Sequence, residues 1–156
     1  MDLEEMEKRL RTLEDIEEIK NIQVRYVNYL TTADWDKLVE CFTKDAFVDL
    51  TNGSARGTAE IEKFFKGKIS VTHIGKEGNF VLHPLVTVDG DTARGNWLLY
   101  TFFSMPHKIQ VGDGEEDAPD WMQGYYDMEY VKEDGVWKIS LLKWRRRNRS
   151  PRRPSE

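Results

Sequence analysis

The chain has few of the features that stabilise a secreted protein or hold a protein in a membrane. Only one of its 156 residues, Cys41, is a cysteine, which excludes an internal disulfide and fits the reducing cytoplasm. It has no run of about 18 apolar residues, so we expect no membrane span. The first residues, Met1-Asp2-Leu3-Glu4-Glu5, are acidic and lack the apolar core of a secretory signal. Together these absences predict a cytoplasmic protein.

The sequence also lacks the patterns of several common functional sites. Its three histidines, His73, His83 and His107, are not spaced as ligands on one element, and no cysteine or acid cluster completes a zinc site. The glycines of segment 53–57 are not followed by the Lys-Ser/Thr of a phosphate-binding loop, and no nucleophile elbow occurs. We therefore expect no metal site.

Negative charge outweighs positive charge outside the C-terminal end. The net charge is −5, and residues 145–156 hold six arginines against one glutamate, so the remainder carries −10. An acidic body argues against a surface that binds nucleic acid. No aromatic residue interleaves with the arginines of segment 147–156, which we interpret as a solvated, disordered tail rather than a nucleic-acid arm.

Residues 121–146 predict a β-hairpin around which the rest of the chain is organised. Asp134-Gly135 separates two aromatic and β-branched segments, and this dipeptide favours a tight turn because glycine adopts positive φ without a steric cost. Alternation predicts an apolar inner face made of Tyr126, Met128, Tyr130, Trp137, Ile139 and Leu141. Such a face must be covered by another element.

The N-terminal segment is the amphipathic element able to cover that hairpin. Its apolar residues recur every three or four positions, as on one face of a helix: Leu3, Met6, Leu10, Leu13, Ile16, Ile19, Ile22, Tyr26 and Leu30. Thr12-x-x-Asp15 is close to a capping box, so the first dozen residues form either a separate helix or an extension. Two short helices are predicted at 35–42 and 59–66, three further strands at 46–51, 79–88 and 92–105, and a loop at 111–120.

Helices followed by consecutive antiparallel strands indicate the α+β class. We expect a curved antiparallel (mixed) sheet wrapped around the long N-terminal helix, with the two short helices, as a cone with an internal pocket. The predicted organisation is a helical extension at 1–12, the cone domain at 13–146 and the Arg-rich tail at 147–156.

Four groups of residues carry a resemblance to a known family. They are Tyr26-x8-Trp35-Asp36-x-Leu38, Asp45-Ala46, Val86-x-Val88-Asp89-Gly90-Asp91-Thr92-Ala93-x-Gly95-x-Trp97 and Tyr130-x3-Asp134-Gly135-x-Trp137-x-Ile139. As a set they resemble the SnoaL-like branch of the nuclear-transport-factor-2-like superfamily, and within it scytalone dehydratase and bile-acid 7α-dehydratase. The resemblance covers roughly residues 13–146. It implies an α+β cone with a buried, cofactor-free site, in a family with lyases, isomerases, cyclases and simple binding proteins.

The resemblance also implies site residues. The pocket tyrosine, histidine and arginine of the bile-acid enzyme correspond to Tyr26, His73 and Arg146, and the aspartate that orients the histidine corresponds to Thr31. The strand tyrosine of scytalone dehydratase corresponds to Leu50, its serine and asparagine to Gly124 and Tyr126, and its second histidine, which follows a proline, to His107. We therefore predict His73, Tyr26, Arg146 and Thr31 as catalytic residues. The predicted substrate-binding residues are Leu50, Trp97, His107 and Tyr126.

Each of these residues also has a purely structural interpretation. An imidazole can abstract a proton near neutral pH, but His73 can equally be a hydrogen-bonded histidine of the core. Tyr26 and Trp97 can line a pocket or fill a core, and Arg146 can stabilise an oxyanion or remain a solvated rim charge. Thr31 can hydrogen-bond a histidine but cannot stabilise an imidazolium by charge.

The leading functional hypothesis is a cofactor-independent lyase of the dehydratase type. His73 would remove a proton next to a carbonyl of a small, mostly apolar ring compound, and Tyr26 with Arg146 would stabilise the oxyanion. The alternatives are an isomerase or cyclase, a non-catalytic binding protein on the same scaffold, or an oligomerisation module. The expected partners are a small hydrophobic substrate and further copies of the chain, as a trimer in preference to a dimer, with no nucleic acid and no membrane.

Overall fold

The structure, a computed structural model, describes residues 1–104 and 106–151. Across these residues it contains three α-helices, one 3-10 turn and eight strands. In chain order they are α1 (Leu3–Thr32), α2 (Trp35–Glu40), β1 (Phe42–Leu50), β2 (Gly53–Arg56), α3 (Thr58–Gly67), the 3-10 turn Ile69–Val71, β3 (Gly78–Asp89), β4 (Thr92–Phe102), β5 (Lys108–Val111), β6 (Gly114–Asp117), β7 (Trp121–Glu133) and β8 (Val136–Arg149). The predicted α+β class is confirmed.

Six of the strands form one mixed sheet in the order β2-β1-β8-β7-β4-β3. Strands β1 and β8 run parallel, and the other neighbours are antiparallel. The predicted turn between β7 and β8 is present, with both Asp134 (φ 51°) and Gly135 (φ 78°) in the left-handed region that a two-residue hairpin turn requires. Helix α1 packs against the sheet through β3 and β8.

Helix α1 is continuous for 30 residues and passes through Thr12 without a break. It begins at Asp2, whose side chain accepts a hydrogen bond from the Glu5 backbone N–H at 2.8 Å, so the cap lies ten residues before the predicted capping box. Only its second half is buried, through Ile19, Ile22, Gln23, Tyr26, Val27 and Leu30. The apolar side chains of its first three turns, from Leu3 to Leu13, remain exposed.

The inner face of β8 departs from simple alternation. Trp137 and Ile139 are buried as predicted, but Leu141 is only half-buried and Leu142 is fully buried instead. The cause is a bulge, because Tyr130 pairs with Ile139 whereas the preceding Glu129 pairs with Leu141. The bulge reverses the faces of the strand beyond it, so Leu142, Trp144 and Arg146 share the inner face.

The segment 111–120, predicted as a loop, belongs largely to a second hairpin. Strands β5 and β6 pair through the turn at Gly112 (φ 58°) and Asp113 and form a separate two-stranded sheet. Its one fully buried apolar side chain, Ile109, packs with Phe103 and Met122 in a small cluster beside the main core. The prediction failed because β5 and β6 are only four residues long and the segment is rich in glycine and aspartate.

The C-terminal part of the chain is ordered further than predicted. Strand β8 continues to Arg149, three residues into the segment interpreted as a disordered tail, and the Ser150 hydroxyl accepts hydrogen bonds from the backbone N–H groups of Asp120 and Trp121. The rest of that segment, residues 152–156, lies outside the described residues. In the part of the chain that is described, no helix has the length and apolar character needed to cross a bilayer.

Candidate functional site

A cavity lies between α1, the 3-10 turn, the inner face of the sheet and the β5–β6 hairpin. Its empty space is about 650 Å³, including open solvent at the mouth. Its apolar walls are Leu30, Leu50, Phe65, Ile69, Leu99, Ile109, Val111, Met122 and Trp144. Its polar lining residues are Tyr26, Thr51, Asn52, Thr72, His73, Gln110, Tyr126 and Arg146. An apolar pocket with a few convergent polar groups is typical of a small-molecule site.

His73 reaches this cavity from the segment that follows the 3-10 turn. Its backbone N–H donates to the Ile69 carbonyl at 3.1 Å, which continues the turn and fixes the residue. Its ring is almost fully buried, and Nδ1 lies 3.0 Å from Oε1 of Glu77. Because the carboxylate accepts the proton of Nδ1, the neutral ring presents an unprotonated Nε2. None of the described residues hydrogen-bonds to Nε2.

Glu77 is held in place by the turn that connects it to His73. Gly75, at φ 80°, reverses the chain, and Oε2 of Glu77 accepts hydrogen bonds from the backbone N–H groups of Ile74 and Lys76 at 3.2 and 3.1 Å. Burial disfavours the charged carboxylate, but the hydrogen bond and charge of His73, together with these backbone donors, outweigh it and lower the pKa of Glu77 below its usual 4.5. Glu77 is therefore ionised at neutral pH.

Thr31 does not take the place of the missing aspartate. Its hydroxyl donates to the Val27 carbonyl at 2.8 Å and accepts from the Asn79 side-chain amide at 3.1 Å. Asn79 in turn accepts from Thr101 at 2.8 Å and lies 3.5 Å from His73 Nδ1. Thr31 thus reaches the histidine only through Asn79 and does not line the cavity, so its catalytic role stays a prediction.

Two phenols form the wall of the cavity next to α1. The rings of Tyr26 and Tyr126 meet edge to face, with centroids 6.0 Å apart. Burial, and to a smaller extent the adjacent Tyr126, raises the pKa of Tyr26 well above 10. Burial likewise raises the pKa of Tyr126. Both groups therefore keep their protons at all ordinary pH values and can act only as neutral donors or acceptors.

Arg146 and Trp144 enter the lining because of the bulge in β8. The indole of Trp144 covers Gly124, where a Cβ atom would lie 2.5 Å from Nε1, so the position that holds a serine in scytalone dehydratase must lack a side chain here. The indole N–H is buried and has no hydrogen-bond partner among the described residues. The backbone N–H of Arg146 donates to the Thr51 hydroxyl at 3.3 Å.

Two of the predicted substrate-binding residues lie elsewhere. The Trp97 indole N–H donates to the Tyr130 hydroxyl at 3.0 Å inside the main core, and Trp97 does not line the cavity. His107 is half-buried at the base of the β5–β6 hairpin, where its Nε2 lies 3.0 Å from the Thr72 carbonyl oxygen. The predictions for Leu50 and Tyr126 agree with the lining, as do those for His73, Tyr26 and Arg146.

The β5–β6 hairpin closes one side of the cavity and is attached by polar contacts. The backbone N–H of Gln110 donates to the Thr72 hydroxyl at 2.9 Å, one residue from His73. Lys68 pairs with Asp113 at 3.0 Å. Glu116 pairs closely with Arg149 and lies 3.9 Å from Arg146. Within residues 1–104 and 106–151, no group of three or more His, Cys, Asp or Glu side chains could hold a metal ion.

Sequence reasoning missed Glu77, although a signal for it exists. An acid four residues after a candidate base is a spacing that permits a side-chain pair, and Gly75 between them marks a turn. Asn79 has no comparable signal, because its contacts with Thr31 and Thr101 span 48 and 22 residues.

Comparison with known proteins places the chain in a structural context. A family model described as SnoaL-like domain matches residues 11–143. A nuclear-transport-factor-2-like protein with a cystatin-like fold from Novosphingobium aromaticivorans is 22% identical, with 92% of this chain and 88% of that chain covered and a TM-score of 0.70.

Two further solved structures carry names of enzymes. A candidate scytalone dehydratase from Novosphingobium aromaticivorans is 18% identical, with 92% of this chain and 91% of that one covered and a TM-score of 0.68. A hexachlorocyclohexane dehydrochlorinase from Novosphingobium barchaimii is 16% identical, with coverages of 92% and 93% and a TM-score of 0.71. At these identities the similarity establishes a shared fold.

Proposed function

Because the chain belongs to the SnoaL-like domain family, we propose that it is a cofactor-independent lyase of the dehydratase type. Its substrate would be a small, mostly apolar compound with a carbonyl group and a leaving hydroxyl on the carbon β to that carbonyl. The observation that carries this proposal is the His73–Glu77 pair, in which Nδ1 is bound to a buried carboxylate while Nε2 has no protein partner.

The pair is suited to abstract a proton. Nε2 of His73 accepts the proton from the carbon next to the carbonyl, and the ring becomes an imidazolium. Glu77 fixes the tautomer and stabilises that cation by its charge; the neutral hydroxyl of Thr31 could not stabilise the cation in this way. The electrons of the broken C–H bond form the new double bond as the leaving hydroxyl departs. That hydroxyl takes the proton back from Nε2, so water is released and the imidazole is again neutral.

The remaining polar groups would stabilise the negative charge that develops on the carbonyl oxygen. Tyr26 and Tyr126 are neutral donors at the inner wall, and Arg146 supplies a permanent positive charge. The apolar walls exclude water, which strengthens these interactions. The names of two structural neighbours, a dehydratase and a dehydrochlorinase, denote eliminations and support the same reaction class.

The proposal is tested by proton exchange, which does not require the natural leaving group. A panel of cyclic ketones is incubated with the protein in D₂O, and loss of the α-proton signal is followed by NMR. We expect exchange by the unaltered protein and a loss of roughly 10²- to 10⁴-fold in His73→Asn. The matched control is His83→Asn, because His83 is exposed in β3 at a positive φ that asparagine tolerates. Equal exchange in the two variants would contradict the proposal.

One observation favours a second function, that of a non-catalytic binding protein. Leu50 lines the cavity where scytalone dehydratase carries a tyrosine, so one polar group of that enzyme is replaced by an apolar wall. A binding protein would hold cyclic ketones without exchanging their protons. Ligand-induced shifts of the cavity residues in the absence of any exchange would therefore select this alternative.

We also propose that the protein associates with copies of itself, as a trimer or dimer, through the outer face of the sheet. This face exposes several large apolar side chains: Phe80, Leu82, Leu85, Phe102 and Tyr125. Exposed apolar patches of this kind are typical of interfaces. Sedimentation equilibrium should give a mass above that of the monomer, and Leu85→Lys should lower it. A monomeric unaltered protein would contradict this part of the proposal.

A further inference from the structure

Charge is distributed unevenly around the cavity. Among the lining residues that the structure describes, Arg146 is the only one with a permanent charge. Its side chain is half-buried, with 28% exposed. A positive charge that has lost part of its solvent is stabilised by an anion that lies close to it.

The nearest carboxylate is only weakly available to Arg146. Oε1 of Glu116 lies 3.9 Å from Nη1 of Arg146, at the outer limit of an ion pair, whereas the same oxygen is in close contact with Nη1 of Arg149. Two guanidinium groups thus share one carboxylate oxygen, and Arg149 has the larger share. Arg149 is not among the lining residues, so the weakly paired guanidinium is the one at the cavity.

Neutral hydrogen-bonding groups surround the same end of the cavity. The hydroxyl of Thr51 is bound to the backbone of Arg146, and Asn52 follows it in the turn between β1 and β2. Both residues line the cavity. The guanidinium, the amide and the hydroxyl can together satisfy both oxygens of a carboxylate.

We propose that the cavity takes a substrate with a single carboxylate, which binds Arg146 beside Thr51 and Asn52 while the apolar body of the acid extends into the cavity. Arg149 is a specificity-determining residue, because it keeps Glu116 away from Arg146 and so leaves that charge for the substrate. In such a substrate the carboxylate takes Arg146, and the oxyanion on the carbonyl oxygen is left to Tyr26 and Tyr126. The inference names the substrate class of the proposed lyase and rests on that function only for the chemistry at His73.

Binding of a matched acid and amide tests the charge preference directly. 1-Naphthylacetate and 1-naphthylacetamide have nearly the same shape and differ by one charge, and calorimetry with the full chain measures both. A charge-assisted hydrogen bond predicts that the acid binds roughly 10- to 100-fold more tightly. This preference should shrink in Arg146→Gln and weaken as salt is added. An amide that binds as tightly as the acid, or an acid that does not bind, would overturn the proposal.

Variants of Glu116 and Arg149 test whether Arg146 and Arg149 compete for the Glu116 carboxylate. Glu116→Gln should strengthen binding of the acid, because the competing carboxylate is removed. Arg149→Gln should weaken it several-fold, because Glu116 is released to Arg146, and combining this change with Glu116→Gln should restore it. The control is Arg147→Gln, which removes the same charge from a residue that contacts Tyr125 and does not line the cavity. If Arg149→Gln and Arg147→Gln have the same effect on acid binding, the role of Arg149 is refuted.

These results are separable from those for the proposed lyase. If neutral ketones exchange their protons through His73 and the acid has no advantage over the amide, the lyase proposal stands and the acid proposal fails. If the acid binds through Arg146 and no compound exchanges its protons through His73, the acid proposal stands and the lyase proposal fails.

Discussion

Two buried polar networks, one in the main core and one at the cavity, differ in one respect. In the first, the Trp97 N–H donates to the Tyr130 hydroxyl, which donates to Oε1 of Gln23 at 2.7 Å. This chain is enclosed by the main core. In the second, Glu77 accepts from His73, and Nε2 of the histidine has no partner among the described residues although the ring lines a cavity.

The comparison shows that burial and hydrogen bonding do not by themselves indicate a functional site. Both networks contain fully buried polar groups, and Tyr130 has a pKa raised by burial as Tyr26 does. What distinguishes the second network is a ring that lines a cavity, with no partner for Nε2 among the described residues, and an ionised carboxylate bound to Nδ1. We therefore expect damage to the first network to lower stability, and damage to the second to lower activity.

Replacement of His73 should have the largest effect on activity. His73→Ala removes the proposed base, and proton exchange with the ketone panel should fall by roughly 10²- to 10⁴-fold. Exchange is measured by NMR, and thermal unfolding of the same variant shows whether it is folded. Imidazole added to the solution should restore part of the rate, since the deleted ring leaves room for it. An unchanged rate would remove the distinction between the two networks.

Glu77→Gln should have the next largest effect. The amide keeps the shape of the carboxylate but cannot stabilise an imidazolium by charge, so the exchange rate should fall roughly 10²-fold. Because Glu77 positions His73 rather than touching the substrate, the preference for the Nδ1-protonated tautomer should be lost as well. A lower rate with an unchanged tautomer would assign Glu77 a purely structural role.

Tyr130→Phe should affect stability and leave exchange unchanged. The change deprives Gln23 and Trp97 of their shared partner, and unsatisfied buried groups of this kind cost about 1–3 kcal/mol of the free energy of unfolding. Denaturant unfolding of Tyr130→Phe, Gln23→Leu and the double variant measures the coupling. The double variant should lose less than the two single variants added together. Simple additivity would show that the network is not a unit.

A smaller effect of Glu77→Gln is expected on the free energy of unfolding at acidic pH. Its folded pKa lies below the ordinary value of 4.5, so its ionisation contributes stability above about pH 4.5 that is lost as the pH falls through the lower folded pKa. Glu77→Gln should therefore make unfolding less dependent on pH in that acidic window. An identical pH dependence in both proteins would mean that the pKa of Glu77 is not lowered by folding.

The sequence predicted most of the fold because the strongest patterns are local. The apolar stripe of α1 and the Asp134-Gly135 turn follow from periodicity and from one residue type that adopts positive φ. The bulge between Ile139 and Leu141 was not predicted. The adjacent Leu141 and Leu142 fit either phase of the alternation, and the sequence alone does not decide which of them faces inward. That bulge determines which residues of β8 enter the cavity, so the inward position of Trp144 was not predicted either.

Only part of the candidate site could be predicted from the sequence. His73, Tyr26 and Arg146 were identified through a family resemblance, and all three line one cavity. The same resemblance directed attention to Thr31 as the partner of the histidine. In this chain the acid that contacts the histidine is Glu77, four residues after it, and correspondence of positions cannot reveal a partner at a different position.

The tautomer of His73 tests the central claim most directly. In protein labelled with ¹⁵N at histidine, the two ring nitrogens have distinct chemical shifts that report which of them carries the proton above the pKa. We expect a neutral ring protonated at Nδ1, with Nε2 unprotonated, and a loss of this preference in Glu77→Gln. A neutral ring protonated at Nε2 would contradict it, because no basic atom would then be available to the substrate.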